Sequence, residues 1–172
     1  MNISIINNPD ASEIAVLIMQ TIADKIIEHK NSPERSEVRT CCFSDIGRDE
    51  DVHRFIWNSS VYIFSGESDD EGQTQILLEN LDRNISHHSD SNAVQTLGNK
   101  YAIVVTTLGE DDSRNISQLV YDKLKKWNIG TLYRYDIPID VEEAIDIPLE
   151  VRKTIEKDIM EAAEEVAKNH SM

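Results

Sequence analysis

Val61-Tyr62-Ile63-Phe64 runs directly into Ser65-Gly66. Four apolar side chains in a row, without polar alternation, suit a central parallel strand buried on both faces better than a half-exposed antiparallel one. Tyr101 to Val105 is a second run of the same kind, followed by Thr106-Thr107-Leu108-Gly109 and the acidic Glu110-Asp111-Asp112. Upstream, Ile3 to Ile6 reads as a short strand ending in Asn7-Asn8-Pro9-Asp10, a turn composition with good helix-entry residues. From Ser12 to about His29, Ile14, Ile18, Ile22 and Ile26 form one row at helical spacing, and Ala15, Met19, Ala23 and Ile27 form the adjacent row. So wide a stripe belongs to a helix lying flat on a sheet.

The remaining segments continue the alternation. Val38 to Phe43 reads as a strand after the Pro33 turn, Asp49 to Trp57 as a short acidic helix, and Gln73 to Ile85 as a helix with Leu77, Leu81 and Ile85 as its stripe. Ser86 to Asn99 reads as a polar loop. Ser113 can cap a helix that places Ile116, Val120, Leu124 and Trp127 on one face, with Gly130 expected to terminate it before a strand from Thr131 to Tyr135. Asp136 to Pro148 reads as an irregular arm, and Leu149 to His170 as a terminal helix buried through Val151, Ile155, Ile159, Ala162 and Val166. Five strands alternating with five helices predict a doubly wound α/β sheet, since each parallel crossover is right-handed and puts its helix on a face. In such sheets a ligand crevice lies outside the strand carboxyl ends where strand order reverses. Asn7 to Ser12, Ser65 to Gly72 and Thr106 to Asp112 are therefore expected around one depression.

The 172 residues fit one domain, residues 1–172. A formal net charge of -15 opposes a nucleic-acid or anionic-membrane surface, because both carry negative charge, while 40% hydrophobic residues supply a core. No segment reaches about 18 continuous apolar residues, and no basic stretch with an apolar run opens the chain, so the sequence predicts a cytoplasmic protein. Cys41 and Cys42 are adjacent; on a strand they point to opposite faces, which excludes an ordinary disulfide between them. The pair His87-His88 with Asp90 lacks a nearby third ligand and reads as exposed loop. Tyr133 and Tyr135 read as packing residues. No GxSxG, Walker-type or GxGxxG sequence occurs, and no side chain stands out as an acid, base or nucleophile.

In pattern and order, almost the whole chain resembles the NADPH-dependent FMN reductase and multimeric flavodoxin family. The resemblance rests on Ile3-Ser4-Ile5-Ile6-Asn7-Asn8 with its helix, Ser60 to Gly66, Leu77 to Arg83, and Tyr101 to Gly109. It implies a three-layer flavodoxin-like fold, a five-stranded parallel sheet of order 2-1-3-4-5 with helices on both faces. It also implies FMN as cofactor, NAD(P)H as co-substrate and a homodimer or higher homo-oligomer. Carried over to this chain, Asn8 and Ser12 would stand at the flavin phosphate. Ser65, Gly66, Glu67 and Ser68, with Thr106, Thr107 and Gly109, would stand at the ring.

The sequence departs from the family at these loops. The first loop of the family is longer and rich in Ser, Gly, Arg and Thr, whereas Asn7 to Glu13 has no Gly or Arg here. Pro9 has no N–H, and Asp10 and Glu13 repel a dianion. Ser12 is the one hydroxyl left there, and it serves equally as a helix cap. In the second loop, the family's Pro and aromatic pair are replaced by Ser65 to Gly72. Asp10, Asp45, Glu67, Asp69, Asp70, Asp111 and Asp112 would give the rim a negative field, suited to Mg2+ or Ca2+ or to a basic partner, although no EF-hand spacing occurs. Two readings stay open: an FMN-binding NAD(P)H-dependent oxidoreductase, in which the flavin carries the chemistry, and a flavin-free binding or scaffold domain.

Overall fold

The structure is a computed structural model, and it describes residues 1–7, 11, 13–29, 36–42, 45, 49–65, 75–76, 78–79, 100–107, 112–137, 149–150, 153, 156–157, 160–161 and 164. Its strands are β1 (Asn2–Asn7), β2 (Glu37–Cys42), β3 (Val61–Ser65), β4 (Tyr101–Thr107) and β5 (Thr131–Ile137); the helices described end to end are α1 (Glu13–His29), α2 (Glu50–Asn58) and α3 (Asp112–Lys126), and the described residues between 149 and 164 are helical as well. The strands form one sheet in the order β2-β1-β3-β4-β5, and every neighbouring pair is parallel. This is the sheet expected from the sequence, and its order reverses between β1 and β3.

Alternation along each strand divides the core in two. Ile3, Ile5, Val61, Ile63, Ile103 and Val105 pack beneath α1, against Ile14, Ile18, Met19, Ile22, Ala23 and Ile26. Burying each large aliphatic chain contributes about 1.5–3 kcal/mol, so the two rows on α1 are enough to fix it flat on the sheet. On the other face Ile6, Tyr62, Phe64, Ala102 and Val104 pack with Ile56 of α2, with Leu78, and with Val120, Leu124 and Trp127 at and beyond the end of α3. Cys41 faces this second core and Cys42 is half-buried; both are free thiols. Burial, with Asp45 and Cys42 adding to it, pushes the Cys41 thiol up to about 12.

Several boundaries differ from the sequence reading for identifiable reasons. Thr106 and Thr107 belong to β4 rather than to a loop, because β5 continues through Asp136 and Ile137 and pairs with them. Gly130 does not terminate α3; Asn128 takes the left-handed conformation, φ 56°, and its N–H bonds the Lys125 carbonyl. Asp112 already opens α3, so Ser113 sits within its first turn. Residues 75–76 and 78–79 are helical, with Leu78 buried and Ile76 exposed; Leu77, Leu81 and Ile85 lie outside the described residues, as do Val151, Ile155, Ile159, Ala162 and Val166. Asp49 caps α2, its carboxylate accepting from the N–H groups of Asp51 and Val52. Among the described residues no helix is long and apolar enough to cross a membrane.

The far end of α2 is closed more completely than the sequence suggests. An α-helix leaves its last carbonyls without internal donors. Here Ser59 Oγ donates to the Phe55 carbonyl at 2.9 Å and Ser59 N–H to that of Ile56 at 3.1 Å. Ser59 Oγ has one proton, already used, so Ser4 Oγ is the donor in the 2.7 Å contact between the two hydroxyls. The Trp57 carbonyl is taken by Lys100 Nζ, which also donates to the Ser59 carbonyl and to Tyr62 Oη, both at 2.8 Å. All three ammonium protons are thus placed. The Lys100 side chain lies over the Trp57 and Tyr62 rings, and among the described residues no carboxylate pairs with it. Desolvation lowers its pKa to about 8. This pin sits at the amino end of the sheet, immediately before β4.

Candidate functional site

The register brings the carboxyl ends of the three central strands together. Ile6 pairs with Phe64 and Ser65 with Val105, so Asn7, Ser65 and Thr106 end or nearly end β1, β3 and β4 side by side. This edge includes the point where the order β2-β1-β3 reverses, the place where open α/β sheets bind ligands. Ser65 is 1% exposed and Thr106 is fully buried. Thr106 Oγ1 and Asn7 Oδ1 are both buried and without a hydrogen-bond partner among the described residues.

Buried polar side chains are nearly always bonded, and an unsatisfied one costs about 1–3 kcal/mol. Of the three such atoms among the described residues, the third being Ser36 Oγ before β2, two lie at the ends of β1 and β4 on either side of β3, as a site awaiting polar ligand atoms would retain. Their directions follow from strand alternation. Asn7 continues the row of Ile3 and Ile5 on the α1 side, whereas Thr106 continues the row of Ala102 and Val104 on the opposite side. The two orphaned atoms therefore bracket the edge of the sheet rather than share one wall.

Of the residues singled out from sequence, Ser65 and Thr106 are brought to this edge, and the backbone of Thr107 follows in β4. Asn8, Ser12, Gly66, Glu67, Ser68 and Gly109 lie outside the described residues, as do His87, His88 and Asp90. Asn7 was not singled out as a ligand group, although it opens the Asn7 to Ser12 stretch expected at the depression; the structure places it as the last residue of β1. Glu13 opens α1 and is exposed. A carboxylate there favours the helix dipole but opposes a second anion at the same terminus. The strand-end groups thus offer hydrogen-bonding atoms to a polar ligand. The entry to α1, with Pro9, Asp10 and Glu13 in its sequence, is poor in phosphate donors.

The acidic rim is reduced by the structure in one place. Asp45 Oδ2 accepts from the Cys42 N–H at 3.1 Å, at the end of β2, so this carboxylate has a local role. Among the described residues no group of three or more His, Cys, Asp or Glu side chains converges on a metal position. Tyr133 is half-buried and packs against the core on the α1 side.

No family model matches the chain, and no curated protein matches it in sequence. Solved structures do match in fold. An oxidoreductase from Corynebacterium diphtheriae superimposes with a TM-score of 0.65 at 13% identity, covering 98% of this chain and 95% of that one. A diflavin flavoprotein A3 from Nostoc sp. gives 0.60 at 11% identity, covering 99% and 96%. An NAD(P)H:quinone oxidoreductase from Methanothermobacter marburgensis gives 0.56 at 11% identity, covering 95% and 98%. At these identities the likeness establishes the flavodoxin-like fold over nearly the full length of each chain, and the fold alone.

Proposed function

We propose that the carboxyl edge of β1, β3 and β4 binds a flavin and that the protein is an NAD(P)H-dependent flavin oxidoreductase. The observation that carries this reading is Thr106 Oγ1, fully buried near the end of a central strand and without a hydrogen-bond partner among the described residues. A flavin bound there would accept hydride from the reduced nicotinamide and pass the electrons on. The protein's part is to position and shield it. Thr106 Oγ1 would gain a hydrogen bond to the ring edge, and the backbone of Ser65 and Thr107 would stand beside it. The solved structures named as oxidoreductases and flavoproteins support the reading at the level of fold.

The second reading, a flavin-free binding domain, is favoured by the acidic entry to α1. One titration separates them. Flavin fluorescence is followed as protein is added to FMN and, separately, to riboflavin, and any loaded protein is then tested for NAD(P)H oxidation. Saturable quenching in the micromolar range is expected for both. Because Glu13 stands at the α1 terminus and only Ser12 replaces the family's phosphate donors, FMN is expected to bind less than about tenfold more tightly than riboflavin, a difference below about 1.4 kcal/mol. A protein indifferent to excess of either flavin would overturn the oxidoreductase reading and leave the fold standing.

A further inference from the structure

A second site lies at the opposite end of the molecule, where α2 passes the amino ends of β1 and β2. Asn2, Arg39, Asp51, Arg54, Phe55 and Asn58 line a cleft of about 310 Å³, large enough for a small metabolite. Asp51, Arg54, Phe55 and Asn58 fall at helical spacing on one face of α2, and Arg39 projects from β2 onto the same side of the sheet as Cys41.

We propose that this cleft binds a small oxyanion, a carboxylate or a phosphate monoester, gripped by Arg39 and Arg54. The Arg39 guanidinium is already oriented. It lies over the Phe55 ring, 4.5 Å from the centroid, and its Nε donates to Glu37 Oε1 at 2.7 Å. Among the described residues its two Nη groups have no partner, and together they form the fork that matches a carboxylate or phosphate. Arg54 is nearly uncommitted among the described residues: its ion pair there, to Asp51, spans 3.9 Å between exposed groups, too long for a hydrogen bond. The carboxamides of Asn2 and Asn58 make no hydrogen bond among the described residues and supply further neutral donors.

Against the carboxylates of Asp51 and Glu37, the cleft sets the guanidinium groups of Arg39 and Arg54 and, behind Asn58, the ammonium of Lys100. The carbonyl end of a helix normally repels anions. Here Lys100 Nζ holds the Trp57 and Ser59 carbonyls on either side of Asn58, placing a buried positive charge at the terminus of α2 that borders the cleft. Glu37 engages only the Nε of Arg39, and as an exposed pair it holds the guanidinium weakly.

The test is a titration of the isotope-labelled protein, with inorganic phosphate in one arm and succinate in the other, each against a matched sodium chloride control. The expected result is saturable shifts at the Asn2 and Asn58 amides and the Arg39 side chain, with a millimolar or tighter Kd in at least one arm; the tighter arm identifies the source of the oxyanion. Arg39→Gln and Arg54→Gln, both exposed and expected to fold, should each weaken binding at least tenfold. Arg39→Lys should also weaken it, because an ammonium has no fork. Shifts that match the chloride control, or binding unchanged in the Arg39→Gln, Arg54→Gln double variant, would overturn the proposal.

Discussion

Replacing Lys100 by alanine is expected to lower the free energy of unfolding by about 2–4 kcal/mol, a large effect for one residue. The change removes three hydrogen bonds from a charged donor and leaves the carbonyls of Trp57 and Ser59 and the hydroxyl of Tyr62 buried without that partner. It also exposes the carbonyl end of α2, whose remaining closure rests on Ser59. Chemical denaturation of the two proteins at neutral pH checks the magnitude. A loss within about 0.5 kcal/mol, the scale of an ordinary surface substitution, would contradict the pin.

The same residue gives a signature in pH. Burial lowers the folded-state pKa of Lys100 to about 8, while the unfolded value stays near 10.5. Between these limits the unfolded chain binds a proton that the folded protein has released, so this group makes stability rise with pH. Below about 8 and above about 10.5 its contribution is flat. Wild-type protein compared with Lys100→Met, which keeps the apolar stem and loses the titration, should therefore gain stability relative to the variant from pH 8 to 10.5. Other lysines, tyrosines and thiols titrate in both proteins and cancel to first order. A relative loss over that window would mean that the folded protein stabilises the ammonium.

Thr106→Val separates ligand binding from folding. Valine is nearly isosteric and β-branched, as a strand position prefers, and it deletes a buried hydroxyl that has no partner among the described residues. Stability is therefore expected to hold or to rise by up to about 1 kcal/mol. Flavin affinity is expected to fall about tenfold, equivalent to about 1.4 kcal/mol for one hydrogen bond lost in a desolvated site. Denaturation and fluorescence titration of the same preparation check both parts. A large loss of stability with unchanged affinity would mean that Thr106 Oγ1 bonds within the protein.

Features that repeat along the sequence were legible. The unalternating runs at Val61 to Phe64 and Tyr101 to Val105, with the two aliphatic rows on α1, specify a parallel sheet covered by helices, because burial on both faces leaves a continuous apolar record. Strand ends were less legible. Thr106 and Thr107 have the composition of a turn, and only their pairing with Asp136 and Ile137 keeps them in β4. Asn128 and Gly130 show the same limit: glycine has the greater conformational freedom, but the chain turns where α3 runs out of packing, and asparagine tolerates the left-handed region.

Long-range polar contacts left almost no trace in the sequence. Lys100 is a single lysine before an apolar strand, and two of its three acceptors are main-chain carbonyls more than forty residues earlier, which carry no side-chain signature. Arg39 and Arg54 lie in separate elements and share a cleft only after β2 and α2 have packed. For the candidate site, the sequence located the edge through the order of strands and named Ser65 and Thr106. It gave no sign that the Thr106 hydroxyl is buried without a partner among the described residues, because that depends on the folded packing.

The most direct measurement is a riboflavin titration of isotope-labelled protein followed amide by amide, since it reports both whether the ring binds and where. Saturable shifts are expected at Asn7, Ser65, Thr106 and Thr107, with Asn2, Asn58 and Lys100 at the opposite end of the sheet unmoved. Shifts confined to that opposite end, or none with riboflavin in large excess, would contradict a flavin site at the carboxyl edge.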